Sequence, residues 1–127
     1  MMKYLVVLMG GGVGAVLRFI VGTVVLKFFT GAFPLGTLLI NVTGSFVIGI
    51  LMTFFLNHST IDPHWRLFLV TGILGGYTTF SSFEWETLFT LREGAALVAV
   101  SYLVLSVVLG LAAVWLGATF AGGLRRS

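Results

Sequence analysis

An all-α membrane protein of four transmembrane helices, the third of them broken, is the fold class this sequence predicts, and three observations predict it. The chain is 58% hydrophobic and only 9% charged, with a mean hydropathy of +1.13, which leaves too little polar surface for a soluble domain of this size. Its 127 residues divide into four apolar stretches, at about 4–29, 35–56, 65–91 and 95–120, each near the ~20 residues that a spanning helix takes. Inside the third stretch, the run Gly72-Ile-Leu-Gly-Gly-Tyr-Thr-Thr-Phe-Ser-Ser-Phe83 puts small polar residues and aromatics where lipid should be. Non-helical backbone at that depth is tolerated only where it is packed in protein or lines a wet cavity, so the run reads as a functional site. The expectation is a single four-span domain over 1–127, with no room for a soluble catalytic domain.

In the first span Gly10, Gly14, Arg18 and Gly22 recur every four residues and share one helix face, where small side chains admit another backbone. Arg18 is costly in hydrocarbon, so it should reach a partner, a carbonyl or a water-filled vestibule. Whether it pairs structurally or draws anions toward a pore mouth is open at this point. The start, Met1-Met2-Lys3, has the look of a signal peptide, but Arg18 interrupts the apolar run and no convincing cleavage site follows. Gly31 and Pro34 then mark a turn.

The second span carries Thr37, Asn41, Ser45, Gly49 and Thr53 at the same spacing. Such a row can bind another helix, or it can replace the hydration shell of a passing solute. Packing suits Ser45 and Thr53. Asn41 points to function, because an unpaired amide in mid-span is costly. Asn41-Val42-Thr43 also fits a glycosylation sequon, which burial makes irrelevant. The loop that follows holds His58, Asp62 and His64, whose spacing fits no metal or catalytic motif.

In the third span Gly75-Gly76-Tyr77-Thr78-Thr79 reads as a helix break, either a kink at a close helix crossing or unwound carbonyls able to coordinate a cation. Phe80 and Phe83 lie three apart on one face, with Ser82 beside them and Glu86 one turn beyond. Ring edges are electropositive, so two edges aimed at one point favour an anion, although ordinary packing is the usual fate of phenylalanine. Arg92-Glu93-Gly94 makes a tight turn, and the fourth span presents Tyr102, Ser106 and Gly110 four apart, a possible ladder of hydroxyl donors.

Charge narrows the remaining classes. With an even number of spans, Lys3, Arg66, Arg125 and Arg126 share one side and Lys27 and Arg92 the other. Short-loop Lys and Arg set orientation, so a chain this balanced is compatible either with insertion both ways and antiparallel pairing with its own copy or with one fixed orientation. A dispersed net charge of +3 does not suggest nucleic acid. Without cysteine the chain has no disulfides or thiolate metal sites. No Ser/His/Asp arrangement emerges, so an enzyme is not expected.

Three motifs in order, Gly10-Gly-Gly-Val-Gly-Ala-Val-Leu-Arg18, Gly36-Thr-Leu-Leu-Ile-Asn-Val-Thr-Gly-Ser-Phe-Val-Ile-Gly49 and the run from Gly72 to Phe83, give a chain that resembles the CrcB/Fluc family of fluoride channels over its full length. The resemblance implies a dual-topology antiparallel homodimer with two pores in a bacterial inner membrane. It implies that Asn41, Phe80 and Phe83 line the fluoride path, with Tyr102 and Ser106 as a hydroxyl track, Ser82 and Thr37 as further donors, and Glu86 near one pore mouth. It also implies a structural sodium ion at the dimer interface, held by the main-chain carbonyls of Gly75 and Thr78. Gly110 and Val114 depart from the pattern, where some members continue the hydroxyl track.

Two rival classes share features with that family. A small proton-coupled multidrug-type cation transporter also has four short spans, but it needs a membrane carboxylate, and the first, second and fourth spans contain no Asp or Glu. A noncatalytic assembly subunit would use the polar rows only as helix glue.

Overall fold

The computed structural model describes residues 1–123, and among these every regular element is helical. Arg125 and Arg126, part of the charge count above, lie outside the described residues. The elements are α1 (Met2–Phe28), α2 (Leu35–Asn57), a short α3 (Pro63–Arg66), a π-helical stretch (Leu67–Leu74), α4 (Gly75–Tyr77), α5 (Phe80–Arg92) and α6 (Ala96–Gly123). Three of them, at Met2–Phe28, Leu35–Asn57 and Ala96–Gly122, are long and apolar enough to cross a membrane. The third region runs from α3 to α5 and differs, being built of pieces.

Local chemistry sets those boundaries. α1 ends at the extended Phe29, and Pro34 stands immediately before α2. Asp62 caps α3, its carboxylate accepting from the His64 N–H at 2.9 Å, and Pro63 follows at the first helical position, where its missing N–H costs nothing. Wider π turns carry the chain through Leu67–Leu74 before α4 resumes α-helical geometry. Thr78 and Thr79 are then extended, with ψ of 158° and 122°. Within the run Gly75–Thr79, where a break was expected, Gly75 and Gly76 stay helical and the extended residues are the two threonines. Gly94, at φ +80°, makes the turn between α5 and α6, a conformation that an L side chain rarely adopts.

The glycines are where helices touch. α1 lies against the π-helical stretch and α4, where a methyl group on Gly10 would come within 2.5 Å of the Phe68 carbonyl and 2.9 Å of the Gly72 Cα. One on Gly14 would collide with the Ile73 carbonyl, and one on Gly76 with the Gly11 carbonyl. The four-residue spacing read in the first span thus meets a second small-residue face on the third region. α2 packs most extensively along α6, where Gly49 meets the Val114 carbonyl and Gly117 the Phe46 carbonyl. α5 leans on α6, and the small buried core of Leu38, Phe83 and Tyr102 lies where α2, α5 and α6 meet. Most large apolar side chains on α1 and α6 point outward, as a lipid-facing surface requires.

Candidate functional site

The break between α4 and α5 is held by side chains from two other helices. Thr79 presents both faces of its backbone to Asn41 of α2: its N–H donates to Asn41 Oδ1 at 2.8 Å, and Asn41 Nδ2 donates to its carbonyl at 2.9 Å. The amide replaces bonds that an unbroken helix would make with itself, which removes the cost of exposed peptide groups. Arg18 of α1 donates from Nη1 to the Thr78 carbonyl at 3.2 Å. Thr78 ties back by donating from N and Oγ1 to the Leu74 carbonyl, both at 2.9 Å. Thr79 Oγ1 accepts from the Ser82 N–H at 3.2 Å and donates to Ser82 Oγ at 3.0 Å, capping α5.

Immediately after that cap come the two rings. Phe80 and Phe83 have centroids 5.7 Å apart with planes tilted by 45°. Phe80 is 71% exposed and Phe83 only 9%. Both line a partly open cavity of about 380 Å³, together with Asn41, Ser45, Thr78, Thr79 and Ser106. Ser106 Oγ is buried there and has no hydrogen-bond partner among the described residues. An orphaned hydroxyl in a low-dielectric site is costly, so its position on a cavity wall marks a place where a polar solute or water belongs.

On the other side of Phe83 stands a second polar group. The Phe83 and Tyr102 rings meet edge to face at 5.3 Å, and Tyr102 is fully buried. Its hydroxyl donates to Glu86 Oε2 at 2.7 Å, while Thr37 Oγ1 donates to Glu86 Oε1, also at 2.7 Å. Thr37 and Glu86 line another cavity, of about 240 Å³, between the ends of α1 and α2. Neutral donors on two helices thus converge on one carboxylate, and the Phe83 ring that lines the larger cavity packs against the Tyr102 ring of that cluster.

With this geometry in place, residues 5–118 match the family described as CrcB-like protein, Camphor Resistance (CrcB). The chain belongs to the CrcB family. It is similar to the "Fluoride-specific ion channel FluC" of Solibacter usitatus, 48% identical across 94% of this chain and 98% of that one. A protein of the same name from Hydrogenobaculum sp. is 47% identical across 97% of this chain and 99% of its own. That of Aquifex aeolicus is 40% identical across 87% and 90%.

The CrcB chain brings together most of the residues its sequence singled out. Asn41, Phe80, Phe83 and Ser106 share the larger cavity. Thr37, Glu86 and Tyr102 form the carboxylate cluster. Ser82 is engaged by Thr79, and Arg18 by the Thr78 carbonyl. Thr79 itself was missed, although a threonine immediately before a helical run is a preferred N-cap residue. The bond between Thr43 Oγ1 and Tyr77 Oη at 2.9 Å was also not foreseen, since Thr43 stands off the polar row of α2. Gly110 faces Ser45, whose hydroxyl would lie 3.7 Å from a methyl at that position, so it is a contact between α2 and α6.

Proposed function

We propose that this chain is a channel that passes fluoride passively across the membrane and thereby lowers cytoplasmic fluoride. It is a multi-pass membrane protein of an ion channel family and not an enzyme. The observation that carries the fluoride reading is the cavity beside the break, where Asn41, two phenylalanine rings and the unpartnered hydroxyl of Ser106 are gathered with no cation or carboxylate among its lining residues. Fluoride is small and strongly hydrated. A pore must offer donors as water is stripped, yet hold the ion loosely enough to release it, and neutral amide, hydroxyl and ring-edge dipoles meet that need.

On this reading Asn41, Phe80, Phe83, Tyr102, Ser106, Ser82 and Thr37 make up the fluoride pathway, and Arg18 and Glu86 stand at its mouth or vestibule. In this protomer Tyr102 and Thr37 both donate to Glu86, so an ion arriving there competes with the carboxylate for the same hydroxyls. The composite third region, from α3 through α5, is the fourth crossing, and the working unit is an antiparallel homodimer that supplies rings from both copies. Structural sodium fits the break. The chain leaves helical geometry there, with Thr78 extended, so no following helical turn supplies donors to the carbonyls at that end. Gly75 and Thr78 would contribute carbonyls; the Thr78 oxygen already accepts from Arg18 and retains a second lone pair. The sodium would supply fixed positive charge between the copies.

The test is fluoride efflux from liposomes that contain the purified protein, with chloride as control. Rapid fluoride release with chloride retained supports the channel. Cation uptake driven by a pH gradient, without fluoride release, would establish the multidrug-type carrier in its place.

A further inference from the structure

Asn41 lines the cavity, but its two resolved hydrogen bonds go elsewhere. Oδ1 and one Nδ2 hydrogen are engaged by the N–H and carbonyl of Thr79. Two bonds from a planar amide to one residue's backbone resemble a rung of a β-ladder, and they fix the orientation of that backbone about both its dihedrals. The clamped residue is the hinge of the third region: Thr78 and Thr79 alone are extended, and α5 starts at Phe80. A helix turned by about 20° at its origin moves a side chain one turn further on, ~5 Å along the axis, by about 2 Å. That displacement is large compared with the ~0.5 Å to which a binding constellation must be held.

We propose that Asn41 is a positioning residue, which clamps the Thr79 backbone and so sets the Phe80 and Phe83 rings before any ion arrives. The proposal deepens the fluoride reading and rests on it only for what the rings receive. The clamp joins α2 to the start of α5, and the bond from Thr37 to Glu86 ties the same two helices more than one turn along each. The second Nδ2 hydrogen stays available to the cavity, so the same amide can hold the break and face the pathway.

The test uses the full-length protein in nanodiscs without fluoride. Amide exchange is followed at Thr79 and, as a reference inside α5, at Thr90, with a 19F label on the Phe83 ring. Asn41→Ala is expected to raise exchange at Thr79 at least tenfold, leave Thr90 within twofold, and shift or broaden the ring signal. Asn41→Asp provides a second, isosteric readout. Its neutral carboxyl reproduces the donor and acceptor pair, and its carboxylate cannot donate to the Thr79 carbonyl. Protection of Thr79 relative to Thr90 should therefore return as the introduced acid is protonated, a pH profile that loss of general stability would not produce. Unchanged Thr79 protection in Asn41→Ala overturns the proposal and leaves Asn41 as an ion contact alone. Parallel loss of protection at Thr79 and Thr90 overturns it too, since Asn41 would then serve only global stability. These readouts contain no fluoride, so a clamp that stands while efflux is absent would sink the fluoride reading alone.

Discussion

Asn41 is the residue on which most turns, because one amide meets both the broken backbone and the cavity. Replacing it with Asp at neutral pH introduces an anion that repels fluoride and the Thr79 carbonyl alike. Fluoride efflux from liposomes should fall to the protein-free background; unchanged efflux would remove Asn41 from the mechanism. Tyr102 is a second such residue. Tyr102→Phe leaves the half-buried Glu86 with Thr37 as its remaining donor, and the loss of one hydrogen bond costs about 0.5–1.5 kcal/mol net. Thermal unfolding in detergent should show that loss as a lowered midpoint. Asp62, outside the spans, is governed by its loop: the His64 N–H first, and the His64 ring at 2.7 Å second, hold its carboxyl below the ordinary carboxylate range. A depressed value means the α3 cap is fully present above the ordinary range and is lost as pH falls through the depressed value. The carbon signal of the Asp62 carboxyl should accordingly titrate in acid below the ordinary carboxylate range.

At the scale of elements, the contact between α1 and the third region sets how near the break can come to Arg18. Gly14→Val would drive a branched side chain into the Ile73 carbonyl. Overpacking of this kind costs about 1–3 kcal/mol. It should separate α1 from α4, lengthen the bond between Arg18 and Thr78, and lower both the unfolding midpoint and the flux. By contrast Gly11→Ala, where a methyl meets nothing within 4 Å, should leave both unchanged. The small-residue face of α1 was legible in the sequence because its period matches the helix. Its partner face was not, because Gly72, Gly75 and Gly76 belong equally to a break and to a close crossing. The structure separates the two roles: Gly72 and Gly76 meet α1, and the extended residues are Thr78 and Thr79.

For the whole molecule, the proposed antiparallel pair makes a prediction that the absence of cysteine renders easy to check. In Ser59→Cys the single thiol lies in the exposed loop between α2 and α3. If both orientations occur, a membrane-impermeant maleimide applied to intact cells should label about half of it, and permeabilisation should expose the rest. Labelling of all or none before permeabilisation would establish a single orientation. The cavity beside Phe80 is consistent with such a pair, since that ring is exposed on the protomer and a partner would enclose it.

The sequence by itself determined the helical class, the three long apolar helices, the polar rows on α2 and α6 and the family. Composition and helical period are properties of the chain alone, and each can be counted without knowing what lies opposite. Only the tertiary structure decided the exact place of the break, the partners of Asn41 and Arg18, and the capture of Thr37 and Tyr102 by Glu86. Those depend on which carbonyl or hydroxyl a neighbouring helix brings within about 3 Å, and periodicity within one helix carries no information about its distance from another.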